Sequence, residues 1–595
     1  MNKKPRRLRP LLTRWGASLD KSCPHCEYPR PQLERENWMC LNGLWQYAIR
    51  DINADNEPDT YNGDIVVPFS PESLLSGVSR QLLPGQTLWY RRAVHFDNWT
   101  PGKRLLLHFG AVDQRCTVYL NGYKAGGHEG GYWPFCMDIT DFLREGENIV
   151  SVAVTDDSDT GLEAYGKQKL DRGGIWYTAQ SGIWQTVWAE AVPEQYIKNV
   201  LITPLYGAGE VKFQLTFSRS GMPPESYVQI FAGDSMVAQG HFDDTEFRIS
   251  LPGFRSWSPD DPFLYTVKIT AGEDEARSYF GMREFGVTYE SNGMARLSLN
   301  GKPVFHSGLL DQGYWSDGLY TPPSDEALVW ELTQIKRMGF NMLRKHIKIE
   351  PLRYYYHCDR LGILVWQDFV SGGGPYRPMT TQYLPFIGVR LKDDHRYHRF
   401  GRQDKASRAI FERDMERTVA LLKNTVSIAV WVPFNEGWGQ FDSRRITDVL
   451  RKLDDTRGID HASGWHDQGC GDLSSYHVYY KRFRMKPNAI GRVQALTEFG
   501  GYSCPTDGHM SAATPFGYRM YKNKRALTDA FRRLYQEEVL PNVKYGLSAA
   551  VYTQVSDVED EINGLFTYDR AVTKLDEGTV LGINQELLKN SSGAQ

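Results

Sequence analysis

The chain has 595 residues, 41% hydrophobic and 24% charged, with a formal net charge of -3. That length calls for several domains, and the balance is that of a globular protein. The small net charge gives no support for a nucleic-acid partner, and no apolar run is long enough to span a bilayer.

Residues 1–27 are basic and without period, and predict a flexible N-terminal arm. The arm has no apolar core of the sort a secretory signal carries, so a cytoplasmic protein is expected. Of the eight cysteines, Cys23 and Cys26 form a CxxC. No second pair follows at zinc-motif spacing, so free thiols are expected there and no metal site.

From 28 to 193 the chain reads as short alternating strands, such as TLWYRRAVHF (87–96), KRLLLHFGAV (103–112) and NIVSVAVTD (148–156), broken by Asn-Gly and Gly-Gly turns. This predicts an N-terminal β-sandwich of jelly-roll type. Residues 194–284 repeat the style on a smaller scale and predict an Ig-like β-sandwich. The texture then changes. Over 285–595, strand candidates such as PVFHSGLL, FNMLRKH (340–346), ILVWQDF (363–369), SIAVWVPFNE (427–436), VQALTEFG (493–500) and LSAAVYTQ (547–554) alternate with helical stretches at 324–338 and 406–423. With candidates at 459–464 and 474–479 they make eight strands, which predicts a C-terminal (β/α)8 TIM barrel.

Functional side chains of such a barrel gather at the C-terminal ends of its strands. The polar residues ending the apolar runs are Asp311 and Gln312, Arg344 and His346, Asp368, Asn435 and Glu436, His477 and Tyr479, and Glu498. Burying these without partners is costly. A polar pocket at one barrel mouth explains them together. Glu436 and Glu498 stand out because glycoside hydrolysis uses two carboxyl groups flanking one anomeric carbon. Either alone reads equally well as a member of an ion pair. The high aromatic content, 16 Trp, 33 Tyr and 27 Phe, suits sugar rings but also suits β-rich domains. Trp438 and Trp465 are candidates to stack on a sugar, with simple packing the alternative. Glycine-rich nucleotide fingerprints are absent, and no cofactor is implied.

These residues also carry a resemblance. WVPFNEGWGQFD (431–442) resembles the acid/base segment of glycoside hydrolase family 2, the family of β-galactosidases, β-glucuronidases and β-mannosidases. ALTEFGG (495–501) is similar to that family's nucleophile strand, and residues 339–369 to its strand–helix–strand signature. YPRPQLERENWMCLNGLWQYAI (28–49), GGYWPFCMDITDFLREGEN and SGIWQTVWAE (181–190) resemble its sugar-binding domain. The resemblance implies Glu436 as acid/base, Glu498 as nucleophile and Asn435 as a contact to the sugar 2-OH. It implies a retaining exo-β-glycosidase acting on an oligosaccharide or small glycoside, with β-galactoside the first expectation. L-arabinopyranoside and β-glucuronide or β-galacturonide are the alternatives. A homo-oligomer is compatible with this reading.

Departures from the family pattern bear on the sugar. Asp311 and Gln312 stand where a His segment is usual, and Tyr552-Thr553-Gln554 stands where a Trp often closes the site. The loop 557–570 offers Glu559, Glu561 and Asn563 to the pocket. After the barrel there is no Asn-x-Lys of the sort glucuronidases use to hold a carboxylate, though Arg344, Lys345 or an arginine of the 390s could do the same work. A carbohydrate-binding protein without turnover is the alternative from another class. Retention of both glutamates speaks against it.

Overall fold

The computed structural model describes residues 8–592, apart from 55, 98, 222, 224 and 486–490. Two antiparallel sheets form the first domain. One is ordered Trp38–Cys40, Val187–Val192, Arg104–Phe109, Phe135–Asp138. The other is ordered Gly63–Val67, Gly43–Asp51, Gln86–Val94, Asn148–Thr155, Arg115–Leu120, Tyr123–Glu129. Alternation along the strands turns Leu105, Leu107 and Phe109 of the first sheet onto Val150, Val152 and Val154 of the second, all fully buried. This is the expected jelly roll. A smaller Ig-like sandwich follows, with three strands packed on four around Val211, Phe213, Ile230 and Val267.

The barrel strands are β1 (His306–Asp311), β2 (Met342–Lys345), β3 (Leu364–Asp368), β4 (Ile428–Val432), β5 (Gly458–Ile459), β6 (Leu473–Val478), β7 (Val493–Gly500) and β8 (Leu547–Thr553). They pair in parallel in the order β5-β4-β3-β2-β1-β8-β7-β6. Between β5 and β6 the gap is bridged by hydrogen bonds that include Asp472 N to Ile459 O at 2.9 Å, Ile459 N to Asp472 Oδ2 at 2.8 Å and Ser475 Oγ to Asp460 Oδ1 at 2.9 Å. Leu310, Met342, Trp366, Val430 and Val551 fill the interior together with Ala295, Leu297 and Leu299 of a hairpin that plugs the N-terminal end. Leu309, Leu343, Val365 and Ala550 face the helices. Ser324 caps the helix Asp325–Arg337 by accepting from Ala327 N, and Asp404 caps Lys405–Leu422 through Ala406 N. Among the described residues no helix is long and apolar enough to cross a membrane.

Two expectations for the N-terminus need correction. Residues 8–27 are packed rather than loose (residues 1–7 lie outside the described residues). Trp15 is buried between Trp315 and Trp330, with ring centroids at 6.3 and 5.2 Å. Thr13 donates through N and Oγ1 to Asp317 of the barrel at 2.7 Å. One tryptophan and one capping threonine anchor a segment whose basic composition suggests solvent. Cys23 and Cys26 are joined in a disulfide, not free, because their Cα atoms lie 5.8 Å apart, within disulfide range. Trp15→Ala should cost about 3 kcal/mol of stability, the usual scale for emptying a buried tryptophan site. Denaturant unfolding of the two proteins measures this.

Candidate active site

The C-terminal ends of β2, β3, β4, β6 and β7 converge on one charged cluster, with Arg344 of β2 at its centre. It donates Nε to Asp368 Oδ1 and Nη2 to Asp368 Oδ2, both at 2.9 Å. Nη1 donates to Glu498 Oε1 at 3.2 Å, and Nη2 also donates to Asn435 Oδ1 at 2.7 Å. The guanidinium is fully buried. Burial alone would drain its charge, but Asp368 and Glu498 overcome that and hold its pKa above the ordinary value.

Glu436 follows β4 in the left-handed backbone region, φ 51°, next to Gly437 at φ 75°. Its N–H donates to Ser463 O at 3.1 Å, which ties the turn to the segment after β5. A non-glycine residue held in this region is strained, and such strain gathers at functional sites. Glu498 lies within an irregularity of the β7–β8 register between Leu496 and Phe499. Leu496 and Phe499 both face the helices, so regular alternation would send Glu498 outward with Leu496. The irregularity turns it into the mouth instead.

His477 of β6 joins the two acids. Its Nδ1 lies 2.8 Å from Glu436 Oε1 and 3.5 Å from Glu498 Oε2. One oxygen of each carboxyl group and the imidazole nitrogen therefore lie within 4.8 Å of one another. The His477 ring has room because Gly464 packs on it; a Cβ there would sit 2.4 Å from Cγ of the ring. Tyr479 OH donates to Glu498 Oε2 at 2.6 Å and lies 3.0 Å from Thr553 Oγ1 of β8.

The electrostatics separate the two acids. Burial pushes Glu436 up to about 7, opposed by Lys167 and Arg344. Burial and the neighbouring Glu436 raise Glu498, while Arg344 and the Tyr479 hydrogen bond favour its charged form. Burial pushes His477 down to about 4, so the imidazole between them is neutral at pH 7. Two carboxyl groups this close share a proton. It rests on Glu436, because Arg344 and Tyr479 bond directly to Glu498.

The other sequence-derived candidates divide. Asp368 also meets His346, whose Nδ1 is 2.7 Å from Asp368 Oδ2, and the His346 ring meets Trp438 edge-on at 6.2 Å. Asn435 Nδ2 is buried without a protein partner among the described residues. Trp465 packs against Phe386 and His477 at 5.7 and 6.2 Å, on the wall of a cavity of about 850 Å³ that also includes Tyr479 and Tyr480. Asp311 does not join the cluster. It shares the helix-facing side of β1 with Leu309, where Lys345 Nζ lies 2.7 Å away and Tyr354 OH donates at 3.0 Å. Tyr552 likewise faces the helices, edge-on to Phe499 and Phe531 at 5.7 and 4.9 Å. Gln312 is buried with no protein partner for its Oε1 among the described residues, and no contact ties it to the glutamate pair. Glu559 accepts from Thr178 N at 3.0 Å and faces Arg172 at 3.5 Å, in the seam between sandwich and barrel.

That seam is what the sequence reading missed. The segment 163–178 of the jelly roll lies across the barrel mouth, its Tyr165 and Gly166 N–H groups donating to Ser371 O at 3.0 and 2.9 Å. It brings Lys167, Trp176 and Tyr177 to the site. Trp176 meets Trp438 at 5.2 Å, and Tyr177 OH donates to Glu561 Oε2 at 2.5 Å. The available signal was a stretch, 157–180, without strand alternation inside an otherwise regular sandwich. Among the described residues, Glu436, His477 and Glu498 offer a donor set for a cation, whereas the sulfurs of Cys23 and Cys26 beside Cys40 are spent in their disulfide.

Comparison with known proteins agrees with this architecture. The sugar-binding domain profile of glycosyl hydrolases family 2 matches residues 82–193, a second profile of the family matches 196–283, and its TIM barrel profile matches 295–573. A β-galactosidase of Thermoanaerobacter pseudethanolicus is 24% identical over 301 residues, 47% of this chain and 39% of that one. The chain spans less than half the length of the first curated relatives it matches. A β-D-glucuronidase structure for Dictyoglomus thermophilum superposes with a TM-score of 0.72 at 17% identity, covering 94% of this chain and 98% of that one. A β-galacturonidase from Eisenbergiella tayi bound to galacturonate gives 0.68 at 17% identity, covering 94% and 99%.

Arg344→Gln should leave Asp368 and Glu498 buried without their cation. The expected cost is about 3–5 kcal/mol of stability, the scale for breaking one side of a buried ion pair. Chemical denaturation measures it, and a loss under 1 kcal/mol would contradict the central place given to this guanidinium.

Proposed function

The chain belongs to glycoside hydrolase family 2, and from that premise we propose that it is a retaining exo-β-glycosidase working by double displacement, with Glu498 as nucleophile and Glu436 as acid/base. The observation that carries this is the separation of the two acids. Retaining enzymes hold their carboxyl groups about 5–5.5 Å apart, and inverting ones about 6.5–9.5 Å apart to admit a water. Oxygens of Glu436 and Glu498 lie within 4.8 Å of each other, which fits direct attack on the sugar.

Glu498, kept ionised by Arg344 and Tyr479, attacks the anomeric carbon and forms a glycosyl-enzyme. Glu436, holding its proton to about pH 7, gives it to the departing oxygen. It then takes a proton from water, whose attack releases the sugar with the original configuration. The unpaired Asn435 Nδ2 is placed to meet a sugar hydroxyl. Exo action is supported by the segment 163–178, which walls one side of the mouth.

The choice of sugar stands apart from the mechanism. The relatives carry names of both β-galactosidases and β-glucuronidases. The galactoside expectation has no separate support in the site. Arg344 is committed to Asp368, Glu498 and Asn435. Lys345 faces the helices and pairs with Asp311 and Glu350, both at 2.7 Å. Arg390 lies 3.6 Å from Asp467.

Glu498→Gln should lower turnover roughly 10⁴-fold or more, the scale for removing a covalent nucleophile. A fluorinated sugar trap followed by peptide mapping should label Glu498, and labelling elsewhere would refute the assignment. Glu436→Ala should cost about 10²–10⁴-fold on substrates with poor leaving groups and far less on activated aryl glycosides, with partial rescue by azide. The required form of Glu436 is the protonated one, so activity should fall as pH rises through about 7. Glu436→Gln should abolish that alkaline limb on an activated substrate.

A further inference from the structure

Lys167 is a buried cation that the sequence reading did not place. It sits on the jelly-roll segment that covers the barrel mouth, and it is 5% exposed. Its Nζ donates to Ile175 O at 3.3 Å, and this is its single hydrogen bond among the described residues. No described carboxylate oxygen lies within 4.0 Å of it. Its surroundings are aromatic, with Nζ 4.6 Å from the ring centre of Trp438, 5.5 Å from Trp176 and 5.8 Å from Tyr177. Burial lowers its pKa, and the attraction of Glu561, Glu498 and Glu436 opposes that; its nearest ring, Trp438 at 4.6 Å, follows Glu436 by two residues. Glu561, whose pull is strongest, already spends Oε2 on Tyr177 at 2.5 Å and Oε1 on Asn563 at 2.9 Å.

A buried ammonium with two unspent donors is expensive unless something completes it. Aromatic faces recover part of that cost but accept no hydrogen bond of ordinary strength. Arg344 and Lys345 are already paired with carboxylates. A carboxylate on the bound sugar would supply the missing charge and two acceptors together, whereas a neutral hydroxymethyl group would leave the charge uncompensated. We propose that Lys167 binds the carboxylate of a terminal β-linked uronic acid, so that the sugar-binding domain, rather than the barrel, selects an anionic sugar in the catalytic pocket. This rests on the glycosidase reading and narrows its substrate class.

The test compares nitrophenyl β-glucuronide and β-galacturonide with the matching β-glucoside, β-galactoside and α-L-arabinopyranoside. One uronide should exceed its neutral counterpart in kcat/KM. In Lys167→Met that margin should shrink about 10- to 100-fold, the scale of a lost charge-assisted hydrogen bond in a buried site. Lys167→Arg should keep a preference for the uronide. Calorimetry on Glu498→Gln gives a readout independent of turnover, and free glucuronate or galacturonate should bind more tightly than glucose or galactose. Wild-type enzyme that favours a neutral glycoside, or a Lys167→Met variant that loses uronide and neutral activity in equal proportion, would overturn the proposal and leave the glycosidase intact. Failure of every glycoside and of the fluorosugar trap would instead strike the catalytic reading. Calorimetry showing no preference for the acid sugars would then overturn the role of Lys167 on its own terms.

Discussion

Everything at the barrel mouth turns on one buried guanidinium. Arg344 bonds at once to Asp368 of β3, to Asn435 after β4 and to Glu498 of β7, so a single planar group sets the relative position of three strand ends. A flexible ammonium would hold one of these; the fixed fork of a guanidinium holds all three. Its own charge survives burial because two carboxylates surround it. Placement of Glu498 and support for its charged form thus come from the same set of bonds.

The difference between the two glutamates follows from what touches each. Both are buried, and burial raises the pKa of both. Among the described residues, Glu498 accepts directly from a cation and a phenol, while the direct partner of the Glu436 carboxyl is a neutral imidazole. Proximity forbids two charges, and the unequal support decides which acid keeps the proton. The left-handed backbone at Glu436 and the register irregularity at Glu498 are the local deviations that bring the side chains to each other.

The domains share this site. The barrel supplies the acids and their supports, while the jelly roll supplies the segment 163–178 with its lysine and aromatic side chains. Arg172 and Thr178 on that segment meet Glu559 and so dock it onto the loop that follows β8. A sandwich fused to a barrel in this way adds shape and charge to the mouth without altering the reacting groups.

How much of this was legible beforehand differs from residue to residue. Hydrophobic alternation and its change of period near residue 300 determined the order of two sandwiches and a barrel, because those periods are properties of the local backbone. The rule that polar residues at strand ends gather at one mouth located Arg344, Asp368, Asn435, Glu436, His477, Tyr479 and Glu498 from sequence alone. The same rule admitted Asp311 and Tyr552, since a strand end has two faces and only the packed barrel decides which one looks inward; both look toward the helices. Trp15 and the arm it anchors were hidden for a related reason, because the pocket that buries the ring is built by Trp315 and Trp330, some 300 residues away. Lys167 shows the limit most plainly. Nothing in its neighbours along the chain separates it from a surface lysine, and its burial against Trp438 of the barrel exists only where one domain covers another.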